Sequence, residues 1–130
     1  MQNLEIAGAH DTFFTPQINF NAVTGELKIS GESYLEDTIS FYNNLKNWIS
    51  DYIRDVGKAI KLDIDLSYFN TSSSKALLEL FVLVKQYENQ GGQVEVVWTV
   101  NWGDSEMKEE IEDFALDSKL DIKVIESNQV

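Results

Sequence analysis

Two hydrophobic periods alternate along the chain. Residues 17–21 and 26–30 are short strand-like runs separated by Ala22-Val23-Thr24-Gly25, a pattern that predicts a hairpin turn ahead of Leu27 and Ile29. From Glu36 to about Val56 the spacing becomes helical. Ile39, Tyr42, Leu45, Ile49, Tyr52, Ile53 and Val56 recur every three to four residues, and Gly57 stands where a helix end favours a left-handed residue. Residues 59–66 then alternate, with Ile60, Leu62, Ile64 and Leu66 on one side and Lys61, Asp63 and Asp65 on the other. A second helix is predicted over 72–88, with Leu77, Leu80, Phe81 and Val84 as its stripe and Gly91-Gly92 as its stop. A strand over 93–100, a third helix over 104–116 and a last strand over 121–126 complete the pattern.

Strands alternating with helices imply parallel neighbours joined by crossover helices. A sheet covered on both faces has near-continuous apolar central strands, whereas the 59–66 run is charged at every second position. The expected architecture is therefore α/β, a mixed sheet with helices packed mainly on one face and the other face partly solvated. This argues against a Rossmann-type nucleotide enzyme.

Composition narrows the function. The 130 residues suit a single domain spanning 1–130, and 43% hydrophobic with 12% aromatic residues is too apolar for a disordered chain. With 22 Asp+Glu against 10 Lys+Arg the formal charge is -12, which opposes docking on nucleic acid or anionic lipid. No apolar run approaches the roughly 18 residues of a membrane span. The start MQNLEIAGAHD lacks the basic and apolar regions of a signal peptide, so a cytoplasmic location is expected. Without cysteine there is no disulfide, thiol nucleophile or thiolate metal site.

The chemical signal is concentrated in Tyr68-Phe69-Asn70-Thr71-Ser72-Ser73-Ser74-Lys75, between a strand end and a helix start. Asn, Ser and Thr cap helices because their side-chain oxygens accept the free N–H groups of the first turn. One cap needs one such residue, and here four hydroxyls follow one another. The same place suits a phosphoryl group, held by free N–H donors and the helix dipole, with Lys75 about one turn in. The Gly-x-x-x-x-Gly-Lys pattern of a P-loop is absent.

Other constellations read as surface. Asp104, Glu106, Glu109, Glu110, Glu112 and Asp113 form a solvated helix face or a surface for a basic partner, without the spacing of a calcium loop. Asp63 and Asp65 share a strand face, and His10 is the sole histidine; a hydrolase built on them would lack any recognisable motif, so no catalytic residue, metal or cofactor is assigned. Of Trp48, Trp98 and Trp102, the last is expected to be exposed.

These residues resemble the SiaC-type family of small bacterial regulatory phosphoproteins over nearly the whole chain. The resemblance rests on Thr15-Pro16 with Ile18-Asn19-Phe20 and Gly25, on Ile29-Ser30-Gly31-Glu32-Ser33-Tyr34, on Phe41-Tyr42 with Trp48, and above all on Tyr68 to Lys75. Val97-Trp98 and the acidic run through Met107 and Glu110 also fit. The chain departs from the family where Leu35 and Asn44 replace prolines, near Ile111 where a glycine is common, and at Val100-Asn101-Trp102-Gly103. The resemblance implies a fold similar to STAS domains and anti-anti-sigma factors. It further implies a phosphorylation switch without catalytic activity of its own. A histidine-kinase-like Ser/Thr protein kinase would modify Thr71, and a PP2C-type phosphatase would reverse it. The unphosphorylated form would bind a diguanylate cyclase and promote cyclic-di-GMP synthesis, a pathway of biofilm signalling. Asn70, Ser72, Ser73 and Lys75 would form the recognition and stabilising shell. The alternative is a module binding a small anion or nucleotide without covalent modification. A homodimer is compatible with either.

Overall fold

The computed structural model describes residues 1–128. In chain order the elements are β1 (Leu4–Ile6), β2 (Ala9–His10), β3 (Phe14–Thr15), β4 (Gln17–Phe20), β5 (Glu26–Ser33), α1 (Thr38–Asp55), β6 (Ile60–Phe69), α2 (Thr71–Asn89), β7 (Val94–Asn101), α3 (Ser105–Ser118) and β8 (Ile122–Ser127). Six strands form one sheet in the order β1-β4-β5-β6-β7-β8, while β2 and β3 make a separate small hairpin. The β1/β4 and β4/β5 pairs are antiparallel, and β5 through β8 run parallel. The mixed sheet with crossover helices matches the architecture expected from the alternation.

Burial shows why the helices occupy one face. Leu27 and Ile29 of β5, Ile60 to Leu66 at every second position of β6, and Val96, Trp98 and Val100 of β7 are buried. They join Tyr42, Leu45 and Ile49 of α1, Leu77, Leu80 and Phe81 of α2, and Ile111 and Phe114 of α3 in one core. The intervening Glu26, Lys28, Lys61, Asp65 and Glu95 face solvent. The open face is not uniformly acidic. Register places Lys28 beside Asp63, and Lys61 between Glu26 and Glu95, so opposite charges interleave across strands.

Local chemistry sets the boundaries. Asp37 caps α1 by accepting from the Ser40 N–H at 3.2 Å, and hydrogen bonding to the Ser40 side chain and then to this N–H holds its carboxyl below the ordinary range. Gly57 closes α1 with φ of 63° and donates to the Tyr52 carbonyl at 2.9 Å. In the β4–β5 turn the Asn21 side chain accepts from the N–H groups of Val23 and Thr24. Gly25 completes this turn with φ of 74°, and a Cβ there would lie 2.1 Å from the Ala59 carbonyl oxygen.

Four features differ from the sequence expectations. β6 continues to Phe69, three residues beyond 66, because it keeps pairing with the end of β5 past an irregularity between Gly31 and Glu32. α2 begins at Thr71 rather than Ser72, since Asn70 supplies the cap. The short strands β1, β2 and β3 carry too few residues to show a period. Ile39 recurs at helical spacing but is 74% exposed, because the buried line of α1 runs through Thr38, Tyr42, Leu45, Ile49 and Tyr52 and Ile39 stands about 100° round the helix from Thr38.

Gly25→Ala tests the turn. Positive φ costs a residue with a side chain about 1–2 kcal/mol, and the approach of Ala59 adds to it. Urea denaturation should show at least that loss; a wild-type midpoint would contradict the close approach.

Candidate functional site

The hydroxyl-rich segment lies at the edge of the sheet where the parallel strands end. β6 finishes at Tyr68-Phe69, paired with Glu32 and Ser33 at the end of β5, and Asn70 turns the chain into α2. The Asn70 N–H donates to the Ser33 carbonyl at 3.1 Å. Its side-chain oxygen accepts from the Ser73 N–H at 3.0 Å, and its carbonyl accepts from the Ser74 N–H at 2.9 Å. Two first-turn donors are thereby satisfied, leaving the N–H groups of Thr71 and Ser72 without a partner among the described residues.

The four hydroxyls, adjacent in sequence, occupy different environments. Ser73 is fully buried. The Ser33 hydroxyl donates to Ser73 Oγ at 2.8 Å, and the Ser73 hydroxyl donates back to the Ser33 carbonyl at 3.2 Å. The Tyr42 hydroxyl lies 2.7 Å from Ser33 Oγ. A hydroxyl has one proton, and that of Ser33 is committed to Ser73, so Tyr42 must be the donor. The result is a directed chain, Tyr42 to Ser33 to Ser73, that joins α1, β5 and α2.

Ser72 makes a second link, 3.0 Å from the Thr38 hydroxyl on α1 and 3.2 Å from the Asn70 side-chain oxygen. Ser74 is half-buried. Thr71 is exposed at the first helical position, and its hydroxyl forms no hydrogen bond among the described residues. Capping and side-chain bonding therefore account for Asn70, Ser72 and Ser73; of the two hydroxyls without a hydrogen bond among the described residues, Thr71 is exposed and Ser74 half-buried. Lys75 is exposed one turn further along α2.

The surroundings are apolar and aromatic. Tyr34 follows β5, Tyr68 is the penultimate residue of β6, and Trp102 follows β7; they are 40%, 46% and 71% exposed. Tyr34 and Tyr68, with Phe14, Glu32 and Ser67, line a shallow hollow of about 370 Å³. A groove of about 430 Å³ runs between α1 and α2, bordered by Ile39, Tyr42, Lys75 and Ala76. Because β6 and β7 are parallel neighbours, α2 and α3 both start at this edge. Asp104, which caps α3, and Glu106 thus share Thr71's side of the molecule. Further along α3, Glu110 has its carboxyl raised by desolvation and then by Glu106, Asp104 and Asp113.

The remaining candidates are placed elsewhere. Asp63 and Asp65 lie on the open sheet face, half-buried and exposed respectively. His10 stacks on Phe14 with ring centres 3.8 Å apart and sits 3.2 Å from Glu32. Among the described residues no cluster of three or more His, Asp or Glu could hold a metal ion. No described helix is long and apolar enough to cross a membrane. Trp102 is exposed as expected, whereas Trp98 is fully buried against Phe69, Phe81 and Phe114. Sequence reasoning missed Ser33, Thr38 and the polar role of Tyr42. Ser33 ends an alternating strand and Tyr42 sits on an apolar stripe, so neither advertises a hydrogen-bond chain.

The two kinds of hydroxyl should separate on mutation. Ser73→Ala strands the buried Ser33 hydroxyl and should cost about 1–3 kcal/mol, whereas Thr71→Ala should stay within about 0.5 kcal/mol of wild type in urea denaturation. Equal losses would contradict the assignment. Burial pushes the Tyr42 phenol up to about 12. Between pH 10 and 12 the unfolded tyrosine has lost its proton while the folded one keeps it, so stability must fall as pH rises. The loss approaches about 2–3 kcal/mol at pH 12 and should be smaller in Tyr42→Phe. Parallel alkaline denaturation curves for the two proteins would contradict a buried neutral phenol.

Comparison with known proteins agrees with this geometry. The family described as SiaC family regulatory phosphoprotein matches residues 9–127. An uncharacterized protein of Pseudomonas aeruginosa strain UCBPP-PA14 is 28% identical over 117 residues, covering 90% of each chain. The structure of SiaC of Pseudomonas aeruginosa superposes with a TM-score of 0.87 at 26% identity, covering 98% of this chain and 100% of that one. The crystal structure of the diguanylate cyclase SiaD in complex with its activator SiaC, also from Pseudomonas aeruginosa, shares the fold. Its TM-score is 0.84 at 24% identity, covering 94% of this chain and 100% of that one. With the family match extending from the β2–β3 hairpin to the last strand, the chain belongs to the SiaC family of regulatory phosphoproteins.

Proposed function

We propose that this chain is a non-catalytic, cytoplasmic protein-binding module switched by reversible phosphorylation of Thr71. The observation that carries the reading is the position of Thr71. It is the exposed, unbonded hydroxyl in a run whose Ser72 and Ser73 neighbours are engaged in holding α1, β5 and α2 together. Asn70, Ser72 and Ser73 present and stabilise the acceptor, and Lys75 supplies a cation beside it.

In the modification Thr71 Oγ1 attacks the γ-phosphorus of ATP. The new O–P bond forms as the bond to the β-phosphate oxygen breaks, ADP leaves, and the hydroxyl proton passes to a base of the kinase. A histidine-kinase-like protein kinase performs this step in our reading, and a PP2C-type phosphatase hydrolyses the product. The SiaC of Pseudomonas aeruginosa is an activator of a diguanylate cyclase, and this supports a cyclase as the target here. A phosphate adds about -1.5 to -2 charges and three acceptors. At an exposed position outside the core it changes a docking surface without refolding the domain.

Incubation with the cognate kinase and ATP, followed by mass spectrometry, should place one phosphate on Thr71, and Thr71→Ala should abolish it. Phosphate found only at other residues would overturn the assignment. Tight calorimetric binding of free nucleotide or phosphorylated metabolite by the unmodified chain would instead favour the anion-binding alternative.

A further inference from the structure

We propose that Lys75 is the charge on which the switch turns: the α1–α2 groove seats an acidic, amphipathic helix of the partner, and a phosphate on Thr71 withdraws Lys75 from it. This rests on the reading of Thr71 as the acceptor and adds where the partner sits and why modification releases it. Ile39 is the first observation. It is 74% exposed on the rim of the groove, an apolar side chain that the domain leaves uncovered, with Ala76 on the facing helix.

Charge selects the occupant. The groove carries Lys46, Lys75 and Glu79, and Lys46 is paired with Glu79 at 2.6 Å. Lys75 forms no ion pair among the described residues. In a chain of formal charge -12 this groove is thus locally positive, opposite in sign to the α3 face. An acidic side chain over Lys75, on a helix whose apolar face meets Ile39 and Ala76, complements it.

Spacing supplies the mechanism. Thr71 and Lys75 stand four residues apart on α2, so their side chains neighbour one another on one face. Lys75 is exposed and free to turn toward a phosphate on Thr71 Oγ1. The rim then changes from about +1 to about -1, since the phosphate brings roughly -2 charges. An acidic partner helix loses its cation and meets a dianion in the same place.

Two measurements decide the proposal. Phosphothreonine installed genetically at position 71 makes the first independent of any kinase. In a ³¹P NMR titration the phosphate should titrate at a pH roughly 0.3 higher in Lys75→Gln than in the wild-type background, with Lys75→Arg close to wild type. Equal midpoints in all three overturn the capture of Lys75. In the second, the unphosphorylated chain is titrated into a diguanylate cyclase. Ile39→Asp and Lys75→Glu should each weaken binding by about tenfold or more, and Lys61→Glu on the open sheet face should not. Wild-type affinity in both groove variants overturns the seat. Failure of the wild-type chain to bind the cyclase overturns the cyclase reading and the seat together, while the phosphate titration still decides the capture.

Discussion

The arrangement depends on a short chain of hydroxyls at the end of β5. Tyr42 donates to Ser33, Ser33 donates to Ser73, and the Ser73 hydroxyl returns its proton to the Ser33 carbonyl. These groups are buried, so each bond that fails leaves a desolvated polar atom, and the geometry of all three is held together. The Ser33 carbonyl also receives the Asn70 N–H, so the same residue anchors the cap of α2. Thr71 is fixed by its neighbours while having no bond of its own. In the proposed switch that separation lets Thr71 be modified without disturbing the packing beneath it.

Charge is distributed with similar economy. The open sheet face is interleaved rather than acidic, with Lys28 beside Asp63 and Lys61 between Glu26 and Glu95. Much of the excess acid lies on α3, whose first turn rises at the same edge of the sheet as Thr71. The groove between α1 and α2 has the opposite local sign through Lys75. This edge therefore presents aromatic side chains and adjoining zones of unlike charge, and in the proposed switch a dianion at Thr71 alters the balance where they adjoin.

Much of this was readable from residue spacing. The alternation of β6 predicted a sheet solvated on one face, and the stripes of α1 and α2 predicted the helices that cover the other. The Asn-Thr-Ser-Ser-Ser run stands out in the sequence as the candidate site. Its division into structural and free hydroxyls was not legible, because burial of Ser73 depends on Ser33, forty residues earlier, and on Tyr42. The same limit applies to Ile39. Three-to-four spacing admits it to the core stripe, but the buried line runs through Thr38 and Tyr42 and leaves Ile39 on its flank. The strands β1 to β3 escaped notice because two or three residues cannot establish a period.

The central claim is that phosphate on Thr71 changes what the domain binds and leaves the domain itself intact. Its most direct test is the calorimetric affinity of the diguanylate cyclase for the unmodified chain and for the same chain carrying one phosphate at Thr71. The account predicts an affinity at least about tenfold weaker for the phosphorylated form, from the lost cation and the added repulsion. Equal affinities for the two forms would contradict it.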